Sequence, residues 1–188
     1  MSSIGFGNDV CGRLEQGSTR EWLVPDGRGG YAMGTVSGLR TRRYHGLLIV
    51  ADPSSASRFL GLASLDPFVT LPSGKTVALG VHEWTSGTVD PTGHLYLEHF
   101  DLTDGLPRWR WRIGDLVIER ELAMAHGRAE LTVEYRLLAG GPVTLTQHAL
   151  CTWRDSHGER TAVGPEPTVI PVDGGAVIDG AYRLDGPG

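Results

Sequence analysis

Cysteine is scarce: Cys11 and Cys151 are the only two in 188 residues. Two thiols that far apart, in a chain without an export signal, are expected to stay free rather than to bridge. Met1 to Val10 has no basic segment followed by an apolar one, so it does not read as a secretory leader, and the expected compartment is the cytoplasm. No apolar run approaches the length of a membrane span, so no membrane partner is expected. Excess positive charge is missing too. The net charge is −5, which excludes a general affinity for nucleic acid or acidic lipid. His82, His94 and His99 do not have metal-ligand spacing and no His/Cys cluster resembles a zinc site, so neither a metal nor a cofactor is expected. Helical periodicity is absent: no segment longer than about ten residues repeats its apolar positions every 3.6.

Glycine is abundant, 27 residues, together with 11 prolines, spread without a period between short apolar runs. That is the punctuation of an all-β chain. At this length it can form one domain, 1–188, burying roughly 70% of its extended-chain surface. Strands are expected at Trp22–Val24, Leu47–Val50, Arg58–Leu62, Phe68–Leu71 and Thr76–Val81, and over His94–Leu102 with Leu95, Leu97 and His99 on one face. In Arg108–Ile113, Trp109, Trp111 and Ile113 share a face and three arginines share the other. Gly114-Asp115 suits a two-residue hairpin loop. The return strand, Leu116–Met124, puts Leu116, Ile118, Leu122 and Met124 on one face, interrupted by Arg120. Val117, Glu119 and Glu121 lie opposite, where the two acids can meet the arginines as a solvated face. Turns at His126-Gly127-Arg128 and Ala139-Gly140-Gly141-Pro142 bound two further alternating segments, Leu131–Leu137 and Val143–Leu150. These four strands read as an antiparallel meander. Val169–Val172 and Ala176–Leu184 flank a turn at Asp173-Gly174-Gly175, and the chain closes on Gly186-Pro187-Gly188. The expected architecture is a large antiparallel β-sandwich with little helix.

The most informative stretch is Glu21–Ile49. Five glycines (Gly27, Gly29, Gly30, Gly34, Gly38) precede a polar knot of Arg40, Thr41, Arg42, Arg43, Tyr44 and His45, and a core strand follows. Gly27-Arg28-Gly29-Gly30-Tyr31-Ala32 fits the dinucleotide pattern G-x-G-x-x-A. That pattern requires a helix opening at the motif, whereas Met33–Gly38 carries two glycines and two β-branched residues and is a poor helix. The remaining reading is a set of tight turns that mounts the polar knot on a rigid scaffold, a common way to build a binding site.

This stretch resembles the N-terminal domain of bacterial and archaeal glycogen debranching enzymes (amylo-α-1,6-glucosidases). The family typically reads E-W-L, N-G-x-G-G-Y-A, G-T-x-x-G and T-R-x-Y-H-G-L-L. Here stand Glu21-Trp22-Leu23, Gly27, Gly29-Gly30-Tyr31-Ala32, Gly34-Thr35, Gly38 and Thr41-Arg42-Arg43-Tyr44-His45-Gly46-Leu47-Leu48. Asp26 replaces the usual asparagine, and both residues suit turns. Thr152-Trp153-Arg154-Asp155-Ser156-His157 resembles the family's Arg-Asp-x-His segment, with serine at a position that is commonly aromatic.

The resemblance implies a β-sandwich (a super-sandwich) preceding an (α/α)₆ catalytic barrel, so the chain is expected to be a fragment whose chief partner is that C-terminal catalytic domain. The implied parent activity is hydrolysis of α-1,6-glucosidic branch points in glycogen or limit dextrin. Such hydrolysis needs two carboxylates across one bond. The family's acids lie on the barrel, and no local pair here must share a pocket, so no residue of this chain is expected to be catalytic. Asp155-Ser156-His157 are neighbours in sequence, which is not how a triad is assembled. Arg43, Tyr44, His45, Arg154, Asp155 and His157 are the candidates for contact with α-glucan, since planar donors and acceptors beside an aromatic face suit sugar recognition. The alternative is that Arg and Asp pair inside the sandwich and His caps a loop carbonyl. The five tryptophans read as core or inter-domain residues. A stand-alone carbohydrate-binding module and a structural spacer are the other function classes. An uncovered docking face also predicts self-association.

Overall fold

The computed structural model describes residues 3–161 and 163–186; Pro187 and Gly188, which belong to the glycine–proline close, lie outside them. In chain order the elements are β1 (Ser3–Gly7), the single-turn helices α1 (Asn8–Cys11) and α2 (Leu14–Gly17), β2 (Glu21–Pro25), β3 (Tyr31–Thr35), β4 (Gly46–Ala51), β5 (Arg58–Thr70), β6 (Thr76–Ala78), β7 (Val81–Glu83) and β8 (Val89–Thr92). A 3₁₀ turn (Gly93–Tyr96) follows, then β9 (Leu97–Thr103), β10 (Leu106–Ile113), β11 (Leu116–Met124), β12 (Leu131–Ala139), β13 (Thr144–Asp155), β14 (Val169–Val172), β15 (Gly175–Ile178) and β16 (Tyr182–Asp185). None of the described helices is long and apolar enough to cross a membrane.

Two antiparallel sheets face each other, as expected for an all-β sandwich. One has the order β1-β9-β10-β11-β12, the other β13-β5-β4-β3-β2 with β6 also on β5. Their inner faces share one apolar core. Leu97, Phe100, Trp109, Trp111, Ile118 and Leu122 come from the first sheet; Trp22, Val24, Ala32, Leu48, Leu62 and Val69 come from the second. Trp22 meets Trp109 edge-on, ring centroids 5.1 Å apart, across the sheet interface. The indole N–H of Trp109 donates to the Val36 carbonyl at 3.0 Å. Burying a tryptophan strands its polar N–H unless a partner is at hand, so these bonds fix how the sheets meet.

Arg120, which breaks the inward apolar row of β11, is only 8% exposed. Its guanidinium lies 4.3 Å from the Trp109 ring and 5.2 Å from that of Trp111, so two aromatic faces take the charge. On the opposite face the expected register holds, Arg110 against Glu119 and Arg108 against Glu121. The face is not simply solvated, however. Glu119 is 8% exposed, because Arg110 (2.9 Å) and Arg136 (3.5 Å) reach it from the strands on either side.

Other expectations need correction. The strand expected from His94 starts at Leu97, and the residues before it form the 3₁₀ turn. A bulge then slips the register between Arg110/His99 and Trp111/Leu97, so Leu97 and Phe100 point inward rather than Leu95, Leu97 and His99. The meander ends at β12. The link after Ala139, with Gly140 at φ +95°, carries the chain to the other sheet, where β13 runs along the free edge of the thirteen-residue β5 from Thr144↔Thr70 to Asp155↔Phe59. Ala176–Leu184 is two strands, because Asp179 and Gly180 both take positive φ and close a hairpin. Trp84 is 57% exposed, on the turn between β7 and β8, with its N–H bonded to the Asp90 carbonyl at 2.8 Å. Both cysteines are free, and burial pushes the Cys11 thiol up to about 11.

Candidate functional site

The glycine stretch folds around Asp26, which is 2% exposed. Its Oδ1 accepts the N–H groups of Arg28 (2.6 Å) and Gly30 (2.9 Å), while its own N–H donates to the Gly30 carbonyl at 3.0 Å. Gly27 and Gly29 take φ of +78° and +95°, a region that side chains resist. A Cβ on Gly30 would stand 2.7 Å from the Ile49 carbonyl oxygen and closer still to the Asp26 carboxylate, so only glycine fits. The loop is also pinned to the other sheet, where the Gly127 N–H donates to the Asp26 carbonyl at 2.7 Å. The loop between β2 and β3 is therefore held from both sheets, and the polar knot follows β3 on the next connection, before β4.

In that knot neighbouring side chains diverge. His45 is 1% exposed and turns inward. Its Nδ1 accepts the Thr41 N–H at 3.1 Å, which leaves the proton on Nε2, donated to Glu21 Oε1 at 3.1 Å. Burial pulls its pKa below the ordinary value despite the Glu21 contact. Arg42 reaches the same carboxylate at 2.6 Å. His45 thus sits beneath the loop, apart from the other candidates.

The remaining five come together. Tyr44 Oη is 3.0 Å from His157 Nδ1, across 113 residues of chain, and the two rings meet edge-to-face at 5.5 Å. Arg43 donates to the His157 carbonyl at 2.8 Å and pairs with Glu159 at 3.1 Å. Asp155 accepts the His157 N–H at 2.7 Å, an Asx turn that bends the chain as it leaves β13. Arg154 ties both loops together. Its Nη1 donates to the carbonyls of Asp155 (3.0 Å), Ser156 (3.3 Å) and Gly158 (2.9 Å), and its Nη2 donates to that of Arg43 at 2.7 Å. Desolvation first, then the charge of Arg43, lowers its pKa.

Sequence reasoning missed three features. Glu159 anchors Arg43. Trp153 stacks on Phe59, centroids 5.1 Å apart and 9° from coplanar, beneath the same strand end. Beside the cluster opens a groove of about 580 Å³, lined among others by Arg40, Thr152, Arg154, Glu159, Arg160 and Glu166. Arg40 forms no ion pair among the described residues, and the buried Thr152 hydroxyl has no hydrogen-bond partner there. The Arg-Asp-x-His segment signalled the cluster; nothing in the sequence signalled the groove, whose walls come from distant segments. Among the described residues no three His, Cys, Asp or Glu side chains converge as metal ligands.

A protein-family model described as "Glycogen debranching enzyme N terminal" matches residues 20–176, which include the glycine loop, the polar knot and the Arg-Asp-x-His segment. No curated protein and no solved structure matches the chain. The match covers most of the sequence, and the chain belongs to the glycogen debranching enzyme N-terminal family.

Proposed function

We propose that the chain is the non-catalytic N-terminal domain, residues 1–188, of a cytoplasmic glycogen debranching enzyme. It packs against an (α/α)₆ catalytic barrel and places Arg43, Tyr44, Arg154, Asp155 and His157 at the rim of an α-glucan cleft. The barrel supplies hydrolysis of α-1,6-glucosidic bonds. The observation that carries this reading is the Tyr44–His157 contact at 3.0 Å, which joins two distant motif segments beside an open groove. The two acids at the cluster hold the loops in place, Asp155 through a backbone N–H and Glu159 through Arg43.

The test is the intact enzyme, barrel included, assayed on a branched limit dextrin. Tyr44→Ala and His157→Ala are expected to lower kcat/KM, and unchanged kinetics with an intact fold would remove the rim from the reading. A spacer role is the second reading, favoured by Arg154, whose two terminal nitrogens both donate to backbone carbonyls. Isothermal titration of the chain with maltooligosaccharides separates a stand-alone binding module from a spacer: millimolar or tighter binding supports the module and silence the spacer. Weak or no binding is expected, because the rim without the barrel is half a site. The same proposal includes self-association of the isolated chain through surfaces that the rest of the enzyme would cover.

A further inference from the structure

We propose that the outer edge of β12 pairs with the same edge of a second copy, antiparallel, about a two-fold axis at Tyr135. This gives the self-association proposed above its surface, and it rests on that reading. Among the described residues no strand pairs with β12 on that side, and its burial rises only to half-buried at alternate positions. An edge of this length is a ready template for another strand.

The register follows from the side chains. β12 runs from Leu131 to Ala139, so overlap of all nine residues centres on Tyr135. In that register Glu134 faces Arg136 of the second copy, and Arg136 faces its Glu134. A shift of one residue pairs apolar with polar rows, because alternate residues lie on opposite faces. A shift of two residues sets Glu134 against Glu134, or Arg136 against Arg136. Only the full-overlap register matches the charges. Within one copy Glu134 lies directly opposite Glu121, and Arg136 of the same copy already pairs with Glu134 at 2.7 Å and reaches Glu121 at 3.7 Å; in the dimer each Glu134 gains a second Arg136. On the inner face Val133 would meet the half-exposed Leu137 of the other copy, covering a side chain that is 46% exposed. The same patch meets itself, which is the arrangement that closes a dimer.

The experiment is sedimentation velocity on the chain over a concentration series, with circular dichroism to confirm folding. Wild type is expected to dimerise. Glu134→Arg alone and Arg136→Glu alone are each expected to weaken the dimer more than tenfold, because each homodimer opposes like charges in both rows. Mixed in equal amounts they are expected to form a heterodimer, since every Arg then faces a Glu. Leu137→Lys, at an exposed position that should leave the fold intact, is expected to abolish the dimer. A wild type that stays monomeric at every concentration overturns both the edge and the self-association. A dimer that tolerates Glu134→Arg or Leu137→Lys overturns the edge alone, and a mixture of folded variants that stays monomeric overturns the register.

Discussion

Removing the Asp26 carboxylate tests whether the glycine loop is held by one side chain. In Asp26→Ala the N–H groups of Arg28 and Gly30 lose their common acceptor, which they approach at 2.6 and 2.9 Å. The Gly30 N–H is buried, and an orphaned buried donor costs about 1–3 kcal/mol; the half-buried Arg28 N–H adds about 0.5–1.5 kcal/mol. The expected loss is about 2–4 kcal/mol. Asp26→Asn, the residue usual in the family, keeps an acceptor oxygen and gives up the charge assistance of both bonds. It also gives up the cost of a buried carboxylate, so the net loss should be about 1 kcal/mol or less. Urea unfolding followed by tryptophan fluorescence reads both variants, with constant m-values as the check that only stability has changed. Amide exchange at Arg28 and Gly30 should rise in the alanine variant and stay low in the asparagine one. An alanine variant within about 0.5 kcal/mol of wild type, or an asparagine variant as damaged as the alanine, would refute the account of the loop.

Gly30→Ala should destabilise by about 1–3 kcal/mol in a thermal melt, because the new methyl meets the Ile49 carbonyl, which belongs to a core strand and cannot yield cheaply. Arg154→Lys should leave exchange in β10 unchanged while speeding it at Ser156–Gly158, since an ammonium cannot reproduce a planar fork that spans four carbonyls. For pH, the folded-state pKa of His45 lies below the ordinary value, chiefly through burial. The unfolded chain therefore takes up the proton first, and stability is lost as pH falls below about 6.5, the unfolded-state value. His45→Gln should flatten the stability profile below about pH 6.5, although His94, also lowered by burial, leaves part of the slope in place.

The strands were legible because period-2 patterns and turn residues are local. Trp109-x-Trp111 against Arg108-x-Arg110 announced both faces of β10, and Gly114 announced its turn. Local pattern could not say where β13 goes. Val143 to Leu150 alternates as well for pairing with β12 as for pairing with β5, and the choice rests on the length of β5 and the course of the link at Gly140. The phase error in β9 has a similar source, since a single extra residue at a bulge inverts every later side chain. Arg120 looked like an interruption because its partners, two indole faces, sit on a neighbouring strand and leave no charge pattern in the sequence.

The site divides along the same line. Motif composition singled out six polar residues in two distant segments, but adjacent side chains in an extended turn point opposite ways, and no periodicity says which of Tyr44 and His45 faces outward. The structure assigns them complementary tasks. His45, from below, bonds Thr41 at the start of the turn and Glu21 on β2, so the backbone carrying Arg43 and Tyr44 cannot sag into the core. Arg154, from the far side, bonds the Arg43 carbonyl and the carbonyls around His157, so the two loops keep a common frame. Among the described residues no backbone–backbone hydrogen bond joins the two loops on which Tyr44 and His157 meet. A substitution at His45 or Arg154 should therefore disturb whatever Tyr44 and His157 touch, although neither residue needs to touch it. That separates residues that set the frame from residues that present the surface, a distinction that the shared motif conceals.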